Sequence, residues 1–315
     1  MTQRRRGLAA LTLTLLSAAV LLPAPQAKRG LEWRHESGRG LALIHDGVPL
    51  WILHFDPKEN WPYLHPLRLP GGPVMTGLSP KDHPWHRALW FSWKYIAGTN
   101  FWEFRDLKDP QSEPAGRTER SGPEDVETSE RGADIGLDIE YRVGSDVLVR
   151  EKRRIAIETP RPDGSYAIDW RGTFTAAGRD VELGKDTGYA GLFFRAAADW
   201  KQLRYLNSEG RAGMDVHQAS AKWIDLSGVA APAFGPMGVA IFDHPANPRF
   251  PNPWWRDRSS DDDGIGYIGT GLLFSGPMIL EAGVPVTLRY RILVHKGWMR
   301  GADLEAESGR FSATR

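Results

Sequence analysis

The chain has 315 residues with 40 basic and 39 acidic side chains, a net charge of +1. That balance gives no electrostatic footprint for nucleic acid. It contains no cysteine, which excludes disulfides, thiolate metal sites and cysteine nucleophiles.

The N-terminus reads as an export signal over residues 1–27. Arg4, Arg5 and Arg6 form a basic start, Leu8 to Leu22 an apolar run, and small residues follow near Ala24 and Ala27. The run has the length of a signal core and is short for a membrane span. An uncleaved anchor is the alternative, and the choice between general and twin-arginine export is open. Removing this segment leaves 37 basic and 39 acidic residues, a net charge of −2. The expected location is periplasmic or secreted, with no membrane association after cleavage.

Residues 28–300 read as a single β-sandwich domain. Leu41 to His45 and Val48 to Phe55 predict a hairpin about Asp46-Gly47. Residues 106–132 are polar and rich in Pro, Gly, Glu and Arg, and read as an exposed excursion. Alternating runs then predict strands at Asp134 to Val143, Lys152 to Glu158, Ser165 to Thr175, Gly191 to Ala196, Lys222 to Leu226, Gly238 to Phe242, Gly271 to Phe274 and Val286 to Val294. Long helical periodicity is scarce, so the expected class is all-β. Asp261-Asp262-Asp263-Gly264 reads as a solvated turn, since it lacks the spaced ligands of a calcium loop. The polar tail 301–315 reads as loose.

Three His-Pro pairs punctuate this pattern. His65-Pro66 precedes Arg68; Asp82-His83-Pro84-Trp85-His86-Arg87 follows; Asp243-His244-Pro245 opens a loop with Asn247 and Arg249. Proline holds each histidine on a stiff, non-helical segment, as a site needs. In a polyproline-type segment, with three residues per turn, His83 and His86 fall on one side. They can then act as base and acid, with His65 as a third nitrogen. Glu103, among Phe101, Trp102 and Phe104, is the candidate carboxylate. Histidines alone are a weak metal signature, and no metal or other cofactor is expected.

The 13 tryptophans include Trp85, Trp90, Trp93 and Trp102 close together in sequence, which points toward sugar. A flat ring offers apolar area to a pyranose face, and polar neighbours take its hydroxyls. Trp85 is the expected stacking residue, and Arg68 and Arg87 the expected anchors for hydroxyls or a carboxylate. The loop carrying Asp243, His244, Asn247 and Arg249 is expected to close over the same pocket, with Trp254 as a wall; a self-contained structural loop is the competing reading.

The stretches Tyr63 to Leu67, Asp82 to Phe91, Gly98 to Trp102, Val239 to Pro248 and Arg289 to His295 resemble a bacterial family of unknown function, DUF6807, also labelled "PmoA-like". The resemblance covers roughly residues 40–298. The methane-oxygenase label fits poorly, because that subunit is a helical membrane bundle. The family often accompanies sugar oxidoreductases and sugar isomerase-like proteins, which implies carbohydrate catabolism. The His83 to Arg87 segment is also similar to a motif of aldose epimerases. That likeness implies an antiparallel β-supersandwich of the galactose mutarotase-like type.

The expected function is an exported carbohydrate-active enzyme working by His/carboxylate proton transfer, of epimerase, lyase or hydrolase type. The alternatives are a non-catalytic carbohydrate-binding protein and a metal-dependent hydrolase using His65, His83 and His86. The expected partner is a carbohydrate substrate or ligand. The sequence does not specify an oligomeric state.

Overall fold

Asp46 and Gly47 both take positive φ, 50° and 81°, as a two-residue hairpin turn matched to strand twist requires. The turn closes the pairing of Gly40–His45 with Val48–His54. The computed structural model describes residues 30–106, 109, 112–184, 188–257 and 265–314. The export segment lies outside the described residues, as does Asp261-Asp262-Asp263-Gly264. Among the described residues no helix is long and apolar enough to cross a membrane.

Two large sheets of antiparallel ladders form the body. The first orders eight strands as Leu31–Glu36, Gly40–His45, Val48–His54, Tyr63–Leu67, Leu89–Trp93, Ala190–Arg195, Tyr267–Thr270 and Trp254–Arg256. The second runs Lys201–Asn207, Trp223–Val229, Met237–Asp243, Val286–Lys296, Tyr166–Ala176, Asp146–Glu158 and Gly132–Val143. Gly132–Val143 then pairs with both Arg117–Arg120 and Asp125–Ser129. A small sheet joins Met278–Leu280, Val181–Leu183, Tyr95–Ile96 and Thr99–Asn100. The all-β antiparallel sandwich expected from the alternating runs is the architecture observed.

Period-two alternation builds the core between the two large sheets. Ile135, Leu137, Ile139 and Tyr141 point inward from one strand, while Asp138 stays exposed and Asp134 and Glu140 remain half-buried. Phe91 from the first sheet stacks on Trp170 of the second, centroids 4.5 Å apart. One polar group is sealed in this layer. Arg153 donates from Nε to Glu151 Oε1 at 2.6 Å and from Nη2 to Oε2 at 2.9 Å, and Tyr141 Oη donates to Oε2 at 2.6 Å. A buried charge of this kind is tolerated because its partner and its hydrogen bonds are buried with it.

The middle strands of the first sheet are buried on both faces. Leu89–Trp93 is buried at every position. Phe91 and Trp93 face the sandwich core, while Trp90 joins a second cluster with Trp61, Tyr63, Trp85, Trp102, Phe104, Phe193 and Tyr267. This outer aromatic layer positions the site.

Three expectations need correction. The excursion 106–132 contributes two strands, because Arg117–Arg120 and Asp125–Ser129 find partners along Gly132–Val143; residues 107, 108, 110 and 111 lie outside the described residues. The stretch Gly271 to Phe274 is a turn, with Phe274 N donating to Gly271 O, and the strand is Tyr267–Thr270 just before it. The tail is not loose: Gly301–Ser312 is a helix. Leu304 and Phe311 pack on Trp223, Phe242 and Leu293 of the second sheet. Arg291 then joins the sheet to the helix, donating to Asp169 at 2.7 Å and to Glu307 at 2.8 Å.

Candidate functional site

The Asp82 to Arg87 segment folds as consecutive turns. His83 N donates to Pro80 O, and His86 N donates to His83 O at 2.9 Å. A turn with an i to i+3 hydrogen bond brings residues 83 and 86 together. Their rings stack with centroids 4.6 Å apart and planes 24° from parallel. They share a side, as the spacing suggests, but through a turn and not a polyproline segment. The segment is tied to the sheet where Arg195 N donates to Ala88 O at 2.7 Å.

Asp82 sits between two donors. Its Oδ2 lies 2.8 Å from His83 Nδ1 and 2.7 Å from Arg195 Nη2. Burial pushes the Asp82 carboxyl up, but the hydrogen bonds from His83 and Arg195 outweigh it and hold the carboxyl below its ordinary value. Ionised Asp82 is acceptor only, so His83 Nδ1 carries the hydrogen and donates. In the neutral ring the lone pair is then on Nε2.

His86 lies behind His83 and is buried. Burial, and after it His83 and Arg195, hold its pKa well below the usual histidine value. Its other face stacks on Tyr267 at 4.8 Å and 12°. His86 Nδ1 and Tyr267 Oη are both buried without a hydrogen-bond partner among the described residues. Orphaned polar atoms are costly in a fold, and here two lie on stacked rings beside the cleft.

Glu103 enters from the other side. Asn100 Oδ1 accepts from Trp102 N at 2.7 Å and from Glu103 N at 3.0 Å, which fixes the turn. Glu103 Oε1 accepts from Lys94 Nζ at 2.8 Å, and Oε2 from Asn100 Nδ2 at 3.1 Å. Lys94 Nζ also lies 5.1 Å over the Tyr189 ring.

These residues line one cleft of about 180 Å³. His83, Trp85, His86, Trp102 and Glu103 come from the first half of the chain; Tyr189, Arg195, Trp255, Arg256, Asp257 and Tyr267 come from the second. A wider groove of about 490 Å³ crosses the outer face of the second sheet, among Asp125, Asp138, Lys152, Arg154 and Arg171. It has no histidine lining, and its Arg154 pairs with Asp125 and Asp134. It reads as a solvated charged face.

Of the expected site residues, His83, His86, Trp85 and Glu103 line the cleft together. His65 does not. Its Nδ1 bonds Thr76 Oγ1 at 2.8 Å, and burial, then His54 and Arg68, lower its pKa to about 4. The three-histidine set is therefore not assembled, and among the described residues no group of three His, Asp or Glu side chains is placed to hold a metal ion. Arg68 meets other parts of the fold through its backbone, its O accepting from Tyr166 Oη at 3.0 Å. Arg87 donates to Ser79 Oγ and Pro84 O and lies 5.4 Å over Trp61; it braces the turn from behind.

The Asp243 loop is placed elsewhere. Asp243 accepts from Asn247 Nδ2 at 2.7 Å and from Asn252 Nδ2 at 3.0 Å. Asn247 also bonds both backbone groups of Arg289 at 2.7 Å. His244 packs edge-on against Phe311 of the C-terminal helix, centroids 5.0 Å apart. Arg249 donates to the carbonyls of Leu272, Gly276 and Pro277. The expected closure over His83 and His86 is corrected: the loop is structural, because its polar groups bond within it and to the backbone of Arg289, Leu272, Gly276 and Pro277. Trp254 is buried in the sandwich core with Nε1 on Ala221 O. Its neighbour Trp255 is the one at the cleft, 4.1 Å from Tyr189.

A family model described as a family of unknown function, DUF6807, matches residues 40–308. The chain belongs to that family. The DUF6807 match includes every described cleft residue and reaches into the C-terminal helix. Among solved structures, the chain is similar to a GH36 alpha-galactosidase from Geobacillus stearothermophilus crystallised with raffinose, at 12% identity and a TM-score of 0.38. The match covers 84% of this chain and 40% of that one. A likeness at that level carries no conclusion about this DUF6807 chain's chemistry. No curated protein matches the sequence.

The residues that sequence reasoning missed are Lys94, Tyr189, Arg195, Trp255, Arg256, Asp257 and Tyr267. A partial signal existed for Arg195: in Ala190–Arg195, Phe193 and Arg195 share a face by period two. Nothing local marks that face as the one opposite the sandwich core.

Proposed function

We propose that the cleft binds a sugar and that the protein is an exported enzyme that moves a proton on it. The observation that carries this reading is the chain Arg195–Asp82–His83, which ends in a cleft walled by Trp85, Trp102, Tyr189 and Trp255. A carboxylate on Nδ1 fixes the imidazole tautomer, leaves Nε2 as the base, and stabilises the imidazolium that forms when Nε2 takes a proton. The aromatic walls suit the apolar face of a pyranose. Glu103 offers an acceptor for sugar hydroxyls, and Lys94 Nζ, bonded to it, is the donor that returns a proton. His86 orients His83 by stacking and remains neutral at pH 7.

This arrangement serves reactions in which His83 takes a proton from a carbon beside a sugar carbonyl, from a sugar hydroxyl or from an attacking water, and Lys94 protonates the departing oxygen: epimerisation, β-elimination or glycoside cleavage. Product analysis on a panel of neutral glycosides, keto-glycosides and uronates tests it. For a substrate so found, His83→Gln should lower turnover by ~10²-fold or more, while unchanged turnover would sink the assignment. Export belongs to the same proposal, motivated by Arg4 to Arg6 and the apolar run that follows. Cell fractionation of chains with and without residues 1–27 tests that part.

A further inference from the structure

Among the described residues, each cation lining the cleft is already engaged by the fold. Lys94 Nζ is 2.8 Å from Glu103 Oε1, and Arg195 Nη2 is 2.7 Å from Asp82 Oδ2. Arg256 is wholly buried, donates from Nε to the Asp257 carbonyl, and lies 4.0 Å from the Tyr205 ring centroid. Among the described residues the formal charges cancel: Lys94, Arg195 and Arg256 stand against Glu103, Asp82 and Asp257. His86 adds no positive charge at pH 7, because burial and its neighbours keep it neutral.

Glu103 is held in place before any ligand arrives. Asn100 grips it twice, through its Nδ2 to Oε2 and through its Oδ1 to the Glu103 amide. Each carboxylate oxygen has two lone pairs. One on each is taken by Lys94 or Asn100, so one on each remains for a hydroxyl donor. An incoming carboxylate would instead meet this fixed negative charge, and would have to displace Glu103 to reach Lys94 or Asp82 to reach Arg195. Like charges brought together in a partly dry site are strongly disfavoured.

We propose that the cleft selects a neutral sugar and rejects the corresponding uronate, with Glu103 as the specificity-determining residue. This rests on the reading of the cleft as a sugar site. Glu103 accepts hydroxyl hydrogens and repels a sugar carboxylate, while its ion pair keeps Lys94 from acting as a uronate anchor.

The test uses matched pairs: methyl glucoside with methyl glucuronide, methyl galactoside with methyl galacturonide, and the corresponding oligosaccharides. Binding to the purified protein is read by titration calorimetry and by tryptophan fluorescence, since Trp85, Trp102 and Trp255 line the cleft. The neutral member of a binding pair should bind about tenfold or more tightly than its uronate. Glu103→Gln frees Lys94 and should shift that ratio toward the uronate by about tenfold; Asp82→Asn, which frees Arg195, should shift it the same way and covers the case in which Glu103→Gln misfolds. A wild-type preference for the uronate, or a ratio unmoved in both folded variants, overturns the inference and leaves the sugar reading intact. Binding of no pair at all overturns the sugar reading and the inference with it.

Discussion

Arg195 and Asp82 are 113 residues apart in the chain and 2.7 Å apart in space. Arg195 is anchored at the end of Ala190–Arg195, where it pairs in register with Tyr267. Its side chain therefore ties the turn at residues 80–86 to the sheet. Asp82 in turn sets which nitrogen of His83 carries hydrogen. Arg195→Met should leave the sheet intact and loosen this control. The expected stability loss is about 1 kcal/mol, since Asp82 keeps contact with water. Long-range proton–nitrogen NMR should show His83 as one tautomer in the wild type and as a mixture in the variant. A single unchanged tautomer in the variant would remove Arg195 from the positioning chain.

A second prediction concerns acid. The His65 imidazole is held at about 4, against 6.5 in an unfolded chain, first by burial and then by His54 and Arg68. Between those values the unfolded chain binds a proton that the folded chain does not, so falling pH favours unfolding. The His65 contribution is complete above about 6.5 and is lost as pH falls toward 4. With allowance for partial exposure it amounts to ~2 kcal/mol. His86 acts in the same direction. Gln at position 65 can keep a hydrogen bond to Thr76 and cannot titrate. Urea unfolding from pH 7 to pH 4 should therefore give a flatter profile for His65→Gln, and superimposable profiles would contradict the argument.

The Asp243 loop gives a third. Asn247 is buried and bonds Asp243 and both backbone groups of Arg289. Asn247→Ala leaves those groups unsatisfied, which costs about 2–3 kcal/mol. Thermal melting should show a clear drop, while sugar binding in the folded variant stays near the wild-type value. A variant that melts normally but binds poorly would return this loop to the site.

The alternating strands were legible because one face of the second sheet meets water, so Ile135 to Tyr141 and Ile155 to Ile157 show their period. The hairpin at Asp46-Gly47 was legible because only special residues take its positive φ values. The site was legible where it is local: Asp82, His83, Trp85 and His86 share one turn, and Glu103 follows within 20 residues. Arg195 and Tyr267 were hidden because a strand buried on both faces loses its alternation. Trp90 and Phe91 look alike in sequence, yet one faces the outer aromatic cluster and the other the sandwich core. The second Asp-His-Pro misled for a different reason. Proline-stiffened polar loops serve folding as readily as binding, and only the partners of Asn247 and His244 separate the two. The helix at 301–312 is largely polar, and its docking rests on Leu304, Phe311 and the buried Glu307, too few for a clear period.

Trp254 and Trp255 offer the sharpest separation of fold from site. They are adjacent on Trp254–Arg256, so their side chains leave opposite faces of the strand. Trp254 is buried in the sandwich core and donates to Ala221 O at 2.8 Å. Trp255 lies against Tyr189 and stacks on Phe274 at 5.3 Å and 18°, on the cleft side. Trp254→Ala removes a large core side chain and should cost ~3–5 kcal/mol. Trp255→Ala removes a cleft wall, and should change stability by only about 1 kcal/mol while weakening sugar binding roughly tenfold or more. Near-ultraviolet dichroism gives a ligand-free check, because the Tyr189–Trp255 coupling disappears only in the second variant. Equal stability losses for the two substitutions would mean that Trp255 is a structural residue, and the aromatic wall would then reduce to Trp85, Trp102 and Tyr189.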